Sequence, residues 1–162
     1  MYEFAIDTHD KAALYRDLLA AADALTAGEP DPVANMANVA ALLWQYLPRL
    51  NWAGFYRARG GELVLGPFQG KPACIRIAYG SGVCGTAAAA RRPLCIEDVH
   101  AFPGHIACDA DSAAELVVPL LHGSRLVGVI DLDSPVRGRF DEEDIAGCVA
   151  LAALIAGRVS EG

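Results

Sequence analysis

Glu115-Leu116-Val117-Val118-Pro119-Leu120-Leu121-His122-Gly123-Ser124-Arg125-Leu126-Val127-Gly128-Val129-Ile130-Asp131-Leu132-Asp133 decides the fold. Two runs rich in β-branched residues flank a Gly-Ser pair, which is the signal of a hairpin. Residues 116–121 and 126–132 therefore read as antiparallel strands joined by a tight turn. Upstream, residues 51–56 read as a strand, Gly60-Gly61 as a hairpin turn and residues 62–68 as its partner. Residues 73–77 supply a further short strand. Hairpin connections imply an antiparallel sheet, unlike the helical crossovers of a parallel one.

Helices surround these strands. Leu14, Leu18, Leu19, Ala22 and Leu25 recur at helical spacing. Asp31-Pro32 is an N-cap followed by proline at the first helical position, and Met36, Val39, Leu43 and Leu47 form the stripe that Pro48 ends. Gly80-Ser81-Gly82 opens a short helix through Cys84 and the alanines 87–90. Asp141 caps a last helix carrying Ile145, Val149, Ala152, Ile155 and Val159 on one face. The class is α+β: a central antiparallel sheet with helices packed on it. The 162 residues suit one domain spanning 1–162.

A net charge of −7 argues against nucleic acid as the main partner. No apolar run approaches the roughly 18 residues of a membrane span. The acidic start, Met1-Tyr2-Glu3-Phe4-Ala5-Ile6-Asp7, lacks the features of a signal peptide. A cytoplasmic location follows, where thiols stay reduced.

Five cysteines carry the chemical interest. Cys148 sits in an apolar helical stripe, and Cys95, in Pro93-Leu94-Cys95-Ile96, in a short strand expected to be buried; both read as small hydrophobes. Cys84, near a helix N-terminus with Ser81 as its expected cap, is placed to be a thiolate. Cys108 lies in a loop over residues 97–112 with His100, His105 and several carboxylates, and loops of that length are usually functional. Either thiol serves as a nucleophile on this evidence.

Asp131 and Asp133 are two apart on a strand and so share a face; they are either a solvated strand end or part of a site. Glu115 decides between these. After a regular two-residue turn it faces Leu132 on the opposite side. After a three-residue turn, or a bulge at Pro119, it faces Asp131 and joins the aspartates. Three converging acids would leave one protonated near neutral pH. Trp52 and Tyr56 also share a face, either as core or as an aromatic wall for a small substrate. Zinc bound by the cysteines with His100 or His105 is a weaker alternative, lacking the short paired spacing of structural sites. Gly80-Ser81-Gly82-Val83-Cys84-Gly85 has neither the lysine of a phosphate-binding loop nor dinucleotide spacing.

Three segments resemble the free methionine-R-sulfoxide reductases, which are single GAF domains. They are Gly66-Pro67-Phe68-Gln69-Gly70-Lys71-Pro72-Ala73-Cys74-Ile75, Gly82-Val83-Cys84-Gly85-Thr86-Ala87, and Asp98-Val99-His100-Ala101-Phe102-Pro103-Gly104-His105-Ile106-Ala107-Cys108-Asp109. The resemblance runs from about residue 21 to 155, with cysteines spaced by ten and twenty-four. It implies thiol-dependent reduction of free methionine-(R)-sulfoxide, with thioredoxin or a similar reductant restoring the enzyme and no metal or organic cofactor. Cys108 matches the nucleophile, Cys74 the main resolving cysteine and Cys84 a further or alternative redox partner. Glu115, Asp131 and Asp133 match an acidic substrate-binding cluster, and Trp52 and Tyr56 match aromatics near the substrate methyl. Cys95 lies outside the pattern. The family also implies that a homodimer is possible. The rival expectation is a non-catalytic GAF-type sensor of a small ligand.

Overall fold

The computed structural model describes residues 1–105 and 109–160. Asp10 caps helix α1 (Lys11–Thr26) by accepting from Ala13 N–H, and Asp31 caps α2 (Pro32–Tyr46) by accepting from Val33 and Ala34 N–H. Each such cap is worth about 1 kcal/mol. Met36, Val39, Leu43 and Leu47 are all buried, as their spacing predicts.

Strands β1 (Trp52–Arg59) and β2 (Glu62–Gly70) follow, joined through Gly60 and Gly61, both at positive φ. That is the glycine-dependent hairpin geometry the Gly-Gly pair signals. Next come β3 (Arg76–Ala78), helix α3 (Gly82–Ala90) and β4 (Leu94–Ile96). The predicted strand over residues 73–77 is thus shorter and later. The 97–112 segment opens with a 3₁₀ turn, Val99–Ala101, pinned by Val99 N–H donating to Ala113 C=O. Strands β5 (Ala114–His122) and β6 (Arg125–Ser134) form the central hairpin, and α4 (Glu142–Ile155) closes the chain. The sheet order is β3-β2-β1-β6-β5-β4, with every neighbouring pair antiparallel.

Period two separates two apolar clusters. Ala53, Phe55, Leu116, Val118, Leu120, Ile130 and Leu132 pack against α1, α2 and α4. Trp52, Tyr56, Val117 and Val129 face the other way, against Val83, Cys84, Ala87 and Ala88 of α3. The helix face is thick and the α3 face thin, and it is the thin side that holds a pocket.

Two expectations need correction. Cys95 is on a strand, but an edge strand, and its side chain is exposed rather than buried. Val149 is 40% exposed. The buried face of α4 runs instead through Cys148, Leu151, Ala152 and Ile155, because Asp144 turns that face toward α1.

Asp144 is fully buried and forms a capping box with Asp141. It accepts hydrogen bonds from Tyr15 Oη (2.7 Å), Lys11 Nζ (2.8 Å) and the buried Arg139 Nη1 (3.0 Å). Asp144→Ala leaves the Arg139 guanidinium buried beside no carboxylate. The expected cost is about 3–5 kcal/mol, read as a lowered urea midpoint; a loss under 1 kcal/mol would mean the network is dispensable.

Candidate active site

The register of the central hairpin builds the site. The turn is the regular two-residue Gly123-Ser124, since His122 pairs with Arg125 and Leu121 with Leu126. Leu120 then pairs with Gly128, so one residue is added in β6, at Val127, not at Pro119 in β5. The shift has the opposite sign from the predicted bulge. Glu115 sits opposite Asp133, and Asp131 opposite Val117. The side-chain outcome is nevertheless convergence, because one added residue on either strand restores Glu115 to the aspartates' face.

The rows across the sheet place the remaining groups. Trp52, Asp133 and Glu115 form one row, and Gly54 and Asp131 lie in the next. A side chain at Gly54 would collide with Phe68, whose Cβ would be 2.3 Å away. Phe68 instead stacks on Trp52 with centroids 5.1 Å apart, and Trp52 stacks on Tyr56 at 5.9 Å. Both expectations for Trp52 and Tyr56 therefore hold together: they are buried, and they line the pocket. Their polar ends also hold the 71–74 segment. Trp52 Nε1 donates to Lys71 C=O (3.1 Å) and Tyr56 Oη to Cys74 C=O (3.0 Å).

The pocket encloses about 570 Å³ including its open mouth. Glu115, Asp131, Asp133 and Cys84 form its acidic floor, while Ser81, Gly82 and Val83 bring in the start of α3. Ser81 occupies the N-cap position, but its side chain makes no capping bond. The first-turn N–H groups of α3 thus remain available to an anion.

Burial governs ionisation here. It pushes Glu115 well above the carboxylate range, with the charges of Asp131 and Asp133 adding to the effect. Asp133 is raised likewise by burial, then by Asp131 and Asp109. Asp131 rises to about 6 through burial, partly offset by hydrogen bonds from Cys84 and Glu115. Burial thus favours the protonated form across the floor, and Asp131, raised only to about 6, is the carboxyl that ionises most readily near neutral pH. Asp131 Oδ1 is buried with no hydrogen-bond partner among the described residues. A buried, unpaired acceptor of this kind is costly until something donates to it.

Cys84 departs from expectation. It is buried, its Sγ lies 3.8 Å from Glu115 Oε1, and burial followed by the Asp131 and Glu115 charges pushes its thiol well up. The helix N-terminus contributes at most about 1–2 kcal/mol toward a thiolate, which burial among acids outweighs. Cys84 is held as a neutral thiol. Cys74 is disulfide-bonded, whereas Cys84, Cys95 and Cys148 are free. Cys108 lies outside the described residues.

Lys71 and Asn51 were not singled out by sequence, and His105, read there as a neighbour of Cys108 or a zinc ligand, gains a place in the pocket. His105 lines the pocket with Nε2 3.9 Å from Glu115 Oε2, and burial and His100 lower its pKa, keeping it neutral. Lys71 donates to Asp109 (3.2 Å) and Asp111 (2.8 Å) at the mouth. Asn51 Nδ2, just before β1, donates to Asp109 Oδ2 (3.3 Å) and Ser112 Oγ (3.0 Å). These bonds tie the end of the 97–112 segment to the sheet. The one local hint was the position of His105 and Asp109 on either side of Cys108 in the third quoted segment. The zinc alternative grouped the histidines with cysteines generally; the structure groups Cys84, Glu115 and Asp131, all buried, with donor atoms within 4.8 Å of one another.

The GAF domain family model matches residues 11–159. The free methionine-R-sulfoxide reductase of Escherichia coli is 52% identical over 146 residues, covering 90% of this chain and 88% of that protein. The reductase of the same name from Saccharomyces cerevisiae is 40% identical over 154 residues, covering 90% and 86%. The crystal structure of free methionine-R-sulfoxide reductase from Neisseria meningitidis in complex with its substrate superposes with a TM-score of 0.93 at 43% identity, covering 98% of this chain and 96% of that one. No helix among the described residues is long and apolar enough to cross a membrane.

Proposed function

Because the chain belongs to the free methionine-R-sulfoxide reductase family of GAF domains, we propose that its pocket binds free methionine-(R)-sulfoxide and reduces it with a cysteine thiolate. The observation that carries this reading is the acidic floor, in which the buried Asp131 Oδ1 has no hydrogen-bond partner among the described residues. Asp131 accepts from the substrate ammonium. The open first turn of α3 takes the α-carboxylate, and Trp52 and Tyr56 flank the S-methyl. A peptide-bound methionine offers an uncharged amide where Asp131 wants a cation, which accounts for selection of the free amino acid.

The chemistry divides between proton and electrons. Glu115 or Asp133, each pushed toward the protonated form by burial, donates a proton to the sulfoxide oxygen as the Cys108 thiolate attacks sulfur. The S–O bond breaks as the protonated oxygen passes to the Cys108 sulfur and the sulfur–sulfur bond opens, releasing methionine and leaving Cys108 a sulfenic acid. Cys74 condenses with it, forming a disulfide and releasing water. The bonded state of Cys74 beside three free thiols supports its place as the resolving cysteine. Cys84 is the alternative partner. Thioredoxin, or a similar dithiol, returns both cysteines to thiols, which suits a reducing compartment such as the cytoplasm. No cofactor enters these steps.

Coupled NADPH oxidation with thioredoxin and its reductase tests the reading: the R epimer of free methionine sulfoxide should be consumed and the S epimer not. Absence of oxidation with either epimer would favour a ligand sensor. Asp131→Asn removes the ammonium acceptor and should raise KM on the order of 100-fold, as expected for losing a charge-assisted hydrogen bond in a dry site. Asp133→Asn removes a carboxyl that burial pushes toward the neutral form and should raise KM less. The reverse order would move the ammonium to Asp133.

A further inference from the structure

The pocket floor is also a ligand set. Cys84 Sγ and carboxylate oxygens of Glu115 and Asp131 lie within 4.8 Å of one another. The Cys84 Sγ to Glu115 Oε1 distance is 3.8 Å, and His105 Nε2 lies 3.9 Å from Glu115 Oε2. Donor atoms around tetrahedral zinc sit about 3.3–3.7 Å apart, given metal–ligand bonds of about 2.0–2.3 Å. Cys84, Glu115 and Asp131 therefore need to close by at most about 1–1.5 Å around a common centre. A second observation points to a missing ligand: Asp131 is 6% exposed, lines the pocket, and its buried Oδ1 has no partner among the described residues.

We propose that this pocket binds one thiophilic divalent cation, zinc being the fitting choice, through Cys84, Glu115 and Asp131, with a fourth position left to water, and that the cation excludes the amino-acid substrate. A thiolate beside two carboxylates selects a borderline-soft ion over magnesium or calcium, which favour all-oxygen shells. Exclusion follows from space and from Asp131 Oδ1, which either coordinates a metal or receives an ammonium. This second half rests on the reductase reading of the pocket.

Cobalt(II) serves as the spectroscopic probe, added to the full chain reduced with a phosphine. One equivalent should produce a thiolate-to-cobalt charge-transfer band and the visible bands of a four-coordinate ion, and zinc should abolish both. Cys84→Ser should lose the charge-transfer band and weaken zinc binding on the order of 100-fold. Cys95→Ser, on the exposed edge strand, should keep both. Asp131→Asn should keep the thiolate band while weakening binding, which preserves the test if Cys84→Ser folds poorly. In turnover, zinc should raise KM for free methionine-(R)-sulfoxide and leave kcat unchanged. A thiolate band that survives Cys84→Ser overturns the site, as does a protein that reduces the sulfoxide but binds no cobalt. Inhibition that lowers kcat alone overturns the exclusion. A cobalt site that depends on Cys84, in a protein inactive toward both epimers, upholds the metal and overturns the reductase reading instead.

Discussion

Cys108→Ser is expected to lower turnover of free methionine-(R)-sulfoxide by at least roughly 10³-fold, whereas Cys74→Ser should release one methionine per chain and then stall. The two results follow from electron counting. Removing the sulfoxide oxygen transfers two electrons to sulfur, and they come from the thiolate that ends as a sulfenic acid. A serine hydroxyl at position 108 remains protonated at neutral pH and has no comparable oxidised form. With Cys74 absent the first half still proceeds, but the sulfenic acid has lost the thiol that condenses with it. Mass spectrometry after a 1,3-diketone trap should then find the adduct on Cys108. Cys95→Ser and Cys148→Ser should run at the wild-type rate: Cys95 lies on the edge strand with its Sγ near Phe140 C=O (3.7 Å), and Cys148 is buried beside Tyr15. Single turnover retained in Cys108→Ser and lost in Cys84→Ser would transfer the nucleophile to Cys84. The structure argues against that, because the Cys84 thiol is pushed up by burial and by Asp131 and Glu115.

The ambiguity between these two thiols shows what a sequence can reveal. Elements were readable because their signals are local: Asp31-Pro32 starts α2, Gly60-Gly61 turns β1 into β2, and the 3.6 spacing of Met36, Val39 and Leu43 buries one face. Ionisation was not, because it depends on what surrounds a group. The helix N-terminus at Cys84 is visible in the chain, but Glu115 and Asp131 arrive from β5 and β6, and they decide the thiol's state. The hairpin register failed for a related reason. Leu126-Val127-Gly128-Val129 is apolar at successive positions, so no alternation says which residue is surplus. Only the pairing of Gly128 with Leu120, and of the same residue with Arg57 on β1, resolves it. The link from His105 to Glu115 was not legible because it spans two elements with no shared periodicity. The roles assigned to Cys74, Cys84 and Cys108 came from the three quoted segments, since spacing alone left the thiols unranked.

The acidic floor makes activity depend on pH in a direction that can be worked out. A proton donor to the sulfoxide oxygen must be protonated before the step, so the rate falls as pH rises through the donor's pKa. Glu115 is pushed well above the usual range by burial and by Asp131 and Asp133, so the loss of its proton moves toward the alkaline side. Asp131, at about 6, behaves oppositely: as the ammonium acceptor it must be ionised, so binding weakens as pH falls below about 6. The expected profile of kcat/KM is therefore a bell, with Asp131 and the attacking thiolate limiting the acid side and the donor limiting the alkaline side. Glu115→Gln separates the two. Glutamine fills the same space and can still donate a hydrogen bond, but it cannot transfer a proton. The expected loss in kcat is on the order of 10²–10³-fold, within the range of a general acid, and the alkaline limb should shift or vanish while the acid limb stays. Equal loss of kcat with an unchanged alkaline limb would hand the donor's role to Asp133, which burial also pushes toward the protonated form opposite Glu115. A Glu115→Gln enzyme with wild-type kcat would mean that the shared proton serves binding and not the departure of oxygen. The residue added at Val127 would then matter for recognising the amino acid, with the chemistry left to the thiols.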